Sequence, residues 1–180
     1  MEITVLTASI GNRRNMLQNC IESVVNQELK PIAHKIVIDS QRNGNWWTYN
    51  QLLYSAQTDW VCFLDDDDIF YPNHLLKLAQ YANDYDVIFS NCDHNDPLNI
   101  ISYAEDFSES RLLEESIVPM TALVRKSALI NAGGFDTIQS CDYLMWKKIL
   151  SNGGRFKKIN DVTWKYNFHE TNYSRKGMTW

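Results

Sequence analysis

The chain lacks several features that would have set its class at once. No CxxC pair is present. The four cysteines, Cys20, Cys62, Cys92 and Cys141, are scattered, which excludes a zinc ribbon. Cys20 and Cys62 lie inside apolar patterns and read as buried thiols, which suits a reducing compartment. There is no signal-peptide pattern and no apolar run long enough to span a bilayer, so the expected location is cytoplasmic. Positive charge is not in excess, with 17 Lys and Arg against 22 Asp and Glu for a net −5. Clamping a nucleic-acid backbone calls for a basic face, so nucleic acid is not expected as the main partner. One local basic group, Arg155, Lys157, Lys158 and Lys165, reads as a solvated face. Internal repeats, low-complexity segments and linkers are also missing, and 180 residues suit one domain.

What is present is ordinary in bulk and uneven in detail. Hydrophobic residues are 44% and charged residues 22%, as in a soluble globular protein. Aromatics reach 12%, with six Trp and nine Tyr, which suits either sugar- or base-stacking surfaces or a core of large side chains. Ile3 to Ala8 is a short β-branched run that reads as a strand buried on both faces. Met16, Leu17, Cys20, Ile21, Val24 and Val25 recur at helical spacing. Ile36-Val37-Ile38 predicts a second strand ending at Asp39. Gln41 to Asn45 read as a loop, with Trp46-Trp47 still in it. Leu52, Leu53 and Ala56 predict a second helix. Trp60 to Leu64 predicts a third strand that stops at four aspartates. Pro72 stands where a helix would start. A fourth strand is expected over Asp86 to Ser90.

Strands and helices thus alternate through residue 90, the pattern of a parallel sheet covered on both faces. Beyond it the rhythm changes. Asn91 to Ser108 reads as a loop or weak hairpin. Met120 to Val124 predicts a strand, and Ser127 to Ala132 a short helix closed by Gly133-Gly134. A last helix carries Tyr143, Trp146, Ile149 and Leu150, and a late strand runs from Val162 to Phe168. The stretch from Asn172 to Trp180 reads as polar and mobile.

In an open α/β sheet, ligands bind outside the carboxyl ends of the strands. That edge offers Thr7-Ala8-Ser9, then Asp39, then Asp65 to Asp68. Adjacent carboxylates repel unless a cation or solvent intervenes, and oxygen-rich sites suit Mg²⁺ or Mn²⁺ bridging to substrate phosphates. The aspartate run therefore reads as a metal–diphosphate site, against the plainer alternative of a solvated acidic turn. Arg13 is either a phosphate contact or a surface residue of the first helical turn. Asp142 is either a helix-start acid favoured by the dipole or a general base. His169 is either a ligand or a hydrogen-bonded structural histidine. Trp46-Trp47 offers a stacking surface for a sugar or acceptor.

Four ordered segments carry a resemblance. They are Thr7-Ala8-Ser9 with Arg13, Leu17, Ile21, Ser23-Val24 and Gln27; Asn50 and Ala56 with Asp59 through Asp68 and Pro72; Gly133-Gly134-Phe135-Asp136 with Cys141 through Trp146; and Tyr166 through His169 with Asn172-Tyr173-Ser174. Together they resemble the family 2-like glycosyltransferases of the GT-A fold. The resemblance implies a single-domain, Rossmann-like α/β fold with an open, mostly parallel sheet, helices on both faces and a small antiparallel element in the C-terminal half. Residues 1–90 would be the donor half, and 91–180 the acceptor half with its tail. The implied activity is an inverting, metal-dependent transfer of a sugar from a nucleotide-sugar donor, a UDP-sugar, to a hydroxyl acceptor.

The same resemblance implies roles for matching positions. Thr7, Ala8 and Arg13 would border the nucleotide, Asp39 would contact the base, and Asn50 would lie near the donor. Asp65 and Asp67 would form the DxD pair, with Asp67 the direct Mn²⁺ or Mg²⁺ ligand and Asp66 and Asp68 in support. His169 would meet the metal or diphosphate, and Asp142 would be the general base. Cys141 departs from the pattern, since the family often has Glu there. Three other readings remain: a sugar nucleotidyltransferase, disfavoured because Thr7 to Asn15 contains only Gly11; an aspartate-nucleophile phosphatase, whose DxD usually follows the first strand; and an inactive nucleotide-sugar or carbohydrate-binding module.

Overall fold

The computed structural model describes residues 1–94, 107–137, 141–169 and 172. Strand β1 spans Ile3–Ser9 and leads through helix α1 (Arg14–Val25) to β2 (Ala33–Ile38). Helix α2 (Asn45–Ser55) then leads to β3 (Trp60–Phe63). Both β2 and β3 pair parallel with β1, so two crossovers in opposite directions leave a switch point at its carboxyl end.

The chain continues through β4 (Ile69–Phe70), α3 (His74–Ala79), β5 (Val87–His94), α4 (Glu109–Glu114), β6 (Leu123–Arg125), α5 (Lys126–Asn131), α6 (Cys141–Ser151) and β7 (Phe156–Tyr166). These form a seven-stranded sheet in the order β2-β1-β3-β6-β5-β7-β4. The pairings set the directions: β2, β1, β3, β5 and β7 run one way, and β6 and β4 the other. The sheet is therefore mostly parallel, with helices on both faces, as expected of a GT-A fold. One antiparallel strand, β6, lies in the C-terminal half as anticipated, whereas β4 belongs to the first half.

The period of two along each strand divides the core. Leu6, Val61, Phe63, Phe89 and Val124 face α2, α5 and α6, where they meet Leu52, Leu53, Leu129, Met145, Trp146 and Ile149. Ile3, Val5, Cys62, Leu64, Ile88 and Leu123 face the other way, onto Cys20 and Val24 of α1 and Leu75 and Leu78 of α3. Alternate side chains of one strand thus hold both layers, which is why β3 is apolar throughout and β1 is buried along nearly its whole length.

Several element boundaries differ from the sequence expectation, each for a local reason. Trp46 and Trp47 are not in a loop but in the first turn of α2. Gly44, at φ 109, turns the chain, and its carbonyl accepts from the Trp47 and Thr48 amides. β2 starts earlier and is an edge strand, which leaves Ile36 and Ile38 exposed. The strand expected at Met120 begins only at Leu123, because the Ala122 amide bonds back to Pro119 and holds Met120-Thr121 in a turn. The late strand begins at Phe156, six residues before Val162, and takes in Lys157 and Lys158 because it pairs in parallel with β5. β5 runs on to His94, and α4 follows a Ser108 cap whose hydroxyl accepts from the Arg111 amide. Asn172, read as the start of a mobile tail, is 3% exposed. Residues 95–106 and 173–180 lie outside the described residues.

All four cysteines are free, as their scatter suggested, and among the described residues no helix is long and apolar enough to cross a membrane.

Candidate active site

The site forms where β1 and β3 end together. Leu64 still bonds into the sheet through its amide to the Leu6 carbonyl, and the next four residues leave it as a tight turn closed by the Asp68 amide on the Asp65 carbonyl. Asp66, Asp67 and Asp68 are each less than 10% exposed, so this is no solvated acidic turn. Each carboxylate has its own holder. The Tyr49 hydroxyl donates to Asp65 at 2.9 Å. Ser9 donates to Asp66 at 2.6 Å, and Arg13 Nη1 to its other oxygen at 3.1 Å. The same Nη1 also contacts Asp67 Oδ2. His169 Nε2 lies 3.0 Å from that oxygen, and Asn172 Nδ2 lies 3.5 Å away. The Asn167 amide N–H donates to Asp68 at 3.0 Å, and its side chain donates to the Asp67 carbonyl at 2.7 Å.

The electrostatics follow from burial. Desolvation, then the charge of Asp67, pushes the Asp65 carboxyl up to about 7. Burial raises Asp66 as well, while the hydroxyl of Ser9 and the charge of Arg13 pull the other way. Burial and the neighbouring Asp67 and Asp65 charges push Asp68 well above the usual carboxylate range. Asp142 stands in the first turn of α6 and is raised by burial against backbone N–H donation; its charge in turn raises Asp65. The pocket is a cluster of carboxylates short of positive charge.

The expected residues divide into two groups. Arg13, Asp65, Asp66, Asp67, Asp68, Asp142 and His169 form one constellation, linked by the contacts and charge interactions above. Thr7 stands apart: it is fully buried, and its hydroxyl lies 2.8 Å from His34 Nε2. Ala8 packs against the core beside it. Asp39 closes its own loop, accepting from the Asn43 side chain and the Gly44 amide. Burial tends to raise its carboxyl, but those donors hold it below the usual range. Asn50 grips the Phe135 backbone through two hydrogen bonds of 2.8 and 2.9 Å.

Tyr49 entered no motif, and Asn167 stood inside the Tyr166 to His169 segment with no role assigned to it. Tyr49 looked like one of the apolar positions of α2, shared with Leu52 and Leu53. Asn167 had a readable signal, being a polar residue just past a strand end and two before His169.

Among the described residues, no three His, Cys, Asp or Glu side chains converge as a ready metal site. The donor chemistry nevertheless fits a divalent ion. Asp67 Oδ2 and His169 Nε2 are 3.0 Å apart, and buried acids surround them. Carboxylate oxygens suit Mn²⁺ or Mg²⁺, and His169 would add one nitrogen donor.

The glycosyl transferase family 2 model matches residues 32–124, which take in the aspartate run and β6 as far as Val124. The chain belongs to glycosyl transferase family 2. This family 2 chain is 26% identical over 153 residues to an uncharacterized glycosyltransferase of Haemophilus influenzae, covering 79% of its own length and 57% of the relative's. It is 24% identical to the uncharacterized glycosyltransferase MJ1057 of Methanocaldococcus jannaschii, covering 91% and 70%. Among solved structures it is similar to S. aureus TarS 1-349 in complex with UDP-GlcNAc, at a TM-score of 0.78, 15% identity and coverage of 98% and 61%. A second likeness is to the mannosyltransferase PcManGT of Pyrobaculum calidifontis in complex with GDP-Man and Mn²⁺, at 0.71, 14%, 96% and 58%. At such identities the structural likeness speaks for the fold. The chain spans less than two thirds of the Haemophilus relative and of both solved chains.

Proposed function

We propose that the chain transfers a hexose-type sugar from a nucleotide sugar, a UDP-sugar, to a hydroxyl acceptor with inversion, in the presence of Mn²⁺ or Mg²⁺. The observation that carries this reading is the convergence of Asp65 to Asp68 with Arg13 and His169 at the carboxyl end of β3, beside Asp142. Family membership supports it, and so do the donors bound by the two solved relatives, UDP-GlcNAc and GDP-Man with Mn²⁺.

Residues 1–90 would be the donor half. Asp39 contacts the base through lone pairs left over from its own loop. Thr7 and Ala8 form the floor beside it, and Asn50 supports the donor side through Phe135. Asp67 and His169 hold the ion, with Asp65 and Asp66 beside them. When bound, the ion supplies charge stabilisation for the leaving diphosphate. Residues 91–180 would supply the acceptor side.

Asp142 acts as the base. It takes the proton of the acceptor hydroxyl as that oxygen attacks the anomeric carbon from the face opposite the diphosphate. The carbon–oxygen bond to the diphosphate breaks, and Arg13 meets part of the charge that leaves with it. Burial raises the Asp142 carboxyl, which makes its ionised form the stronger base.

A thermal-shift screen of nucleoside diphosphates and nucleotide sugars, with and without MnCl₂, tests the reading. A rise in melting temperature that needs both Mn²⁺ and one nucleotide is expected, and it would name the base. No shift with any pair would overturn the donor assignment.

A further inference from the structure

Asp67 Oδ2 is the contested atom of the site. Arg13 Nη1 and His169 Nε2 both reach it, and Arg13 also reaches Asp66. The side chains of Arg13, Asp66 and Asp67 are only 16%, 4% and 10% exposed, so little water screens these charges. A guanidinium and a divalent ion cannot share one carboxylate oxygen in such a place, because two like charges at contact repel strongly when solvent is excluded.

We propose that Arg13 is a resident counter-ion that excludes free divalent cation from Asp67 and yields to it only when a nucleoside diphosphate enters with the metal. The proposal rests on the donor-site reading above and specifies how that site chooses what it admits. A cation entering alone must drive the guanidinium off Asp67 in a place where little water can follow it. It must also draw the guanidinium away from Asp66, which Ser9 still holds. A cation entering with a diphosphate avoids both penalties, because the phosphate oxygens accept the guanidinium in place of the carboxylates. Metal and nucleotide thus become coupled through one side chain, and the coupling is reciprocal.

The local build suits such an exchange. Arg13 is the cap residue of α1, and its carbonyl accepts from the Leu17 amide at 2.9 Å, so its backbone is fixed and only the side chain has to turn. The acceptors that it leaves keep other holders: Ser9 on Asp66, and His169 and Asn172 on Asp67.

The test is Mn²⁺ binding, followed by the electron paramagnetic resonance signal of the free ion. It is done on wild type and Arg13→Ala, with MnCl₂ alone and with added UDP or GDP. Wild type should bind Mn²⁺ weakly alone and more tightly with the right nucleotide. Arg13→Ala should bind Mn²⁺ alone about tenfold more tightly, and the tightening by nucleotide should shrink about tenfold, within the usual range of such couplings. If Arg13 merely held the fold, its removal would weaken both, and that result would overturn the proposal, as would no change. Should Arg13→Ala not fold, Arg13→Gln removes the charge while keeping an unbranched stem and an N–H donor, and the same signs are expected. A wild-type protein that binds no Mn²⁺ under any condition would instead defeat the donor-site reading itself.

Discussion

Asn50→Ala separates a residue that holds the site from one that touches the donor. The Asn50 amide donates to the Phe135 carbonyl at 2.8 Å and accepts from the Phe135 amide at 2.9 Å. Phe135 is 4% exposed, and its ring packs against Tyr49 and Phe63 with centroids 5.1 and 5.5 Å away. Tyr49 in turn holds Asp65. Truncation leaves an amide and a carbonyl of a buried residue without partners, and each such loss costs about 1–3 kcal/mol. Asn50 itself is only half-buried, so water reaches part of the gap and the lower part of that range applies to each group. A total near ~3 kcal/mol lowers the melting temperature by about 6–12 °C in a chain of this size. Urea denaturation should show the midpoint falling with an unchanged slope. Asn50→Asp, which keeps the acceptor and loses the donor, should fall between the two. If Asn50→Ala kept full stability and lost only its response to nucleotide, the clamp would be irrelevant and Asn50 would be a donor contact.

Other outcomes are expected from the same geometry. Gly134→Ala should destabilise the same clamp, because φ is +74 and a Cβ there would lie 2.7 Å from Asn50 Oδ1; equilibrium unfolding would measure a loss of at least ~1 kcal/mol. Asp142→Asn should lower the turnover of sugar transfer by about 10²–10⁴-fold while leaving the nucleotide-induced thermal shift in place. Asp67→Ala should remove the Mn²⁺-dependent part of that shift, and a shift that survived would put the metal elsewhere. Stability should fall in acid through His74. Its Nε2 faces the Thr121 carbonyl and must donate, so Nδ1 accepts from Thr163, and burial holds the neutral ring down to about 3 from 6.5. The folded state then binds fewer protons than the unfolded chain between those values, so stability drops as pH falls through that window and levels below it. His34, lowered by burial to about 4, adds in the same sense. Asp65 and Asp68, whose carboxyls are raised, act in the opposite sense, so the test is the difference between wild type and His74→Gln: the variant should lose less stability between pH 7 and 4.5, and equal slopes would refute this.

The sequence was most legible where one residue does one job. The buried strands β1 and β3 announced themselves, and the aspartates stood at the end of β3 because a buried strand must end where four acids begin. Legibility failed where pairing decides. Nothing in Phe156 to Asp161 reads as a strand, with two lysines and an Asn-Asp pair, until β5 lies beside it. Tyr49 was hidden because a tyrosine on an apolar helix face looks the same whether its hydroxyl is idle or holds a carboxylate. Asn50 was placed near the donor by resemblance alone, and its hydrogen bonds to Phe135 show a structural task that no local pattern announces. Asn172 looked like a tail residue, since no local pattern announces a side chain that bonds Asp67 across more than a hundred residues.

The order of the strands also governs how the molecule can be assembled. β6 lies between β3 and β5, and the other neighbour of β5 is β7. Both partners of β5 therefore come from chain that is synthesised after it. A ribosome that has released the chain only as far as His94 presents β1, β2 and β3 as a three-stranded parallel unit, with β5 left as an orphan. The aspartate turn is in the same position, since two of its carboxylates wait for Asn167, His169 and Asn172. A split of the gene just after β5 should thus give two pieces that are insoluble apart and regain structure only when expressed together, although Asp65 to Asp68 all lie in the first piece.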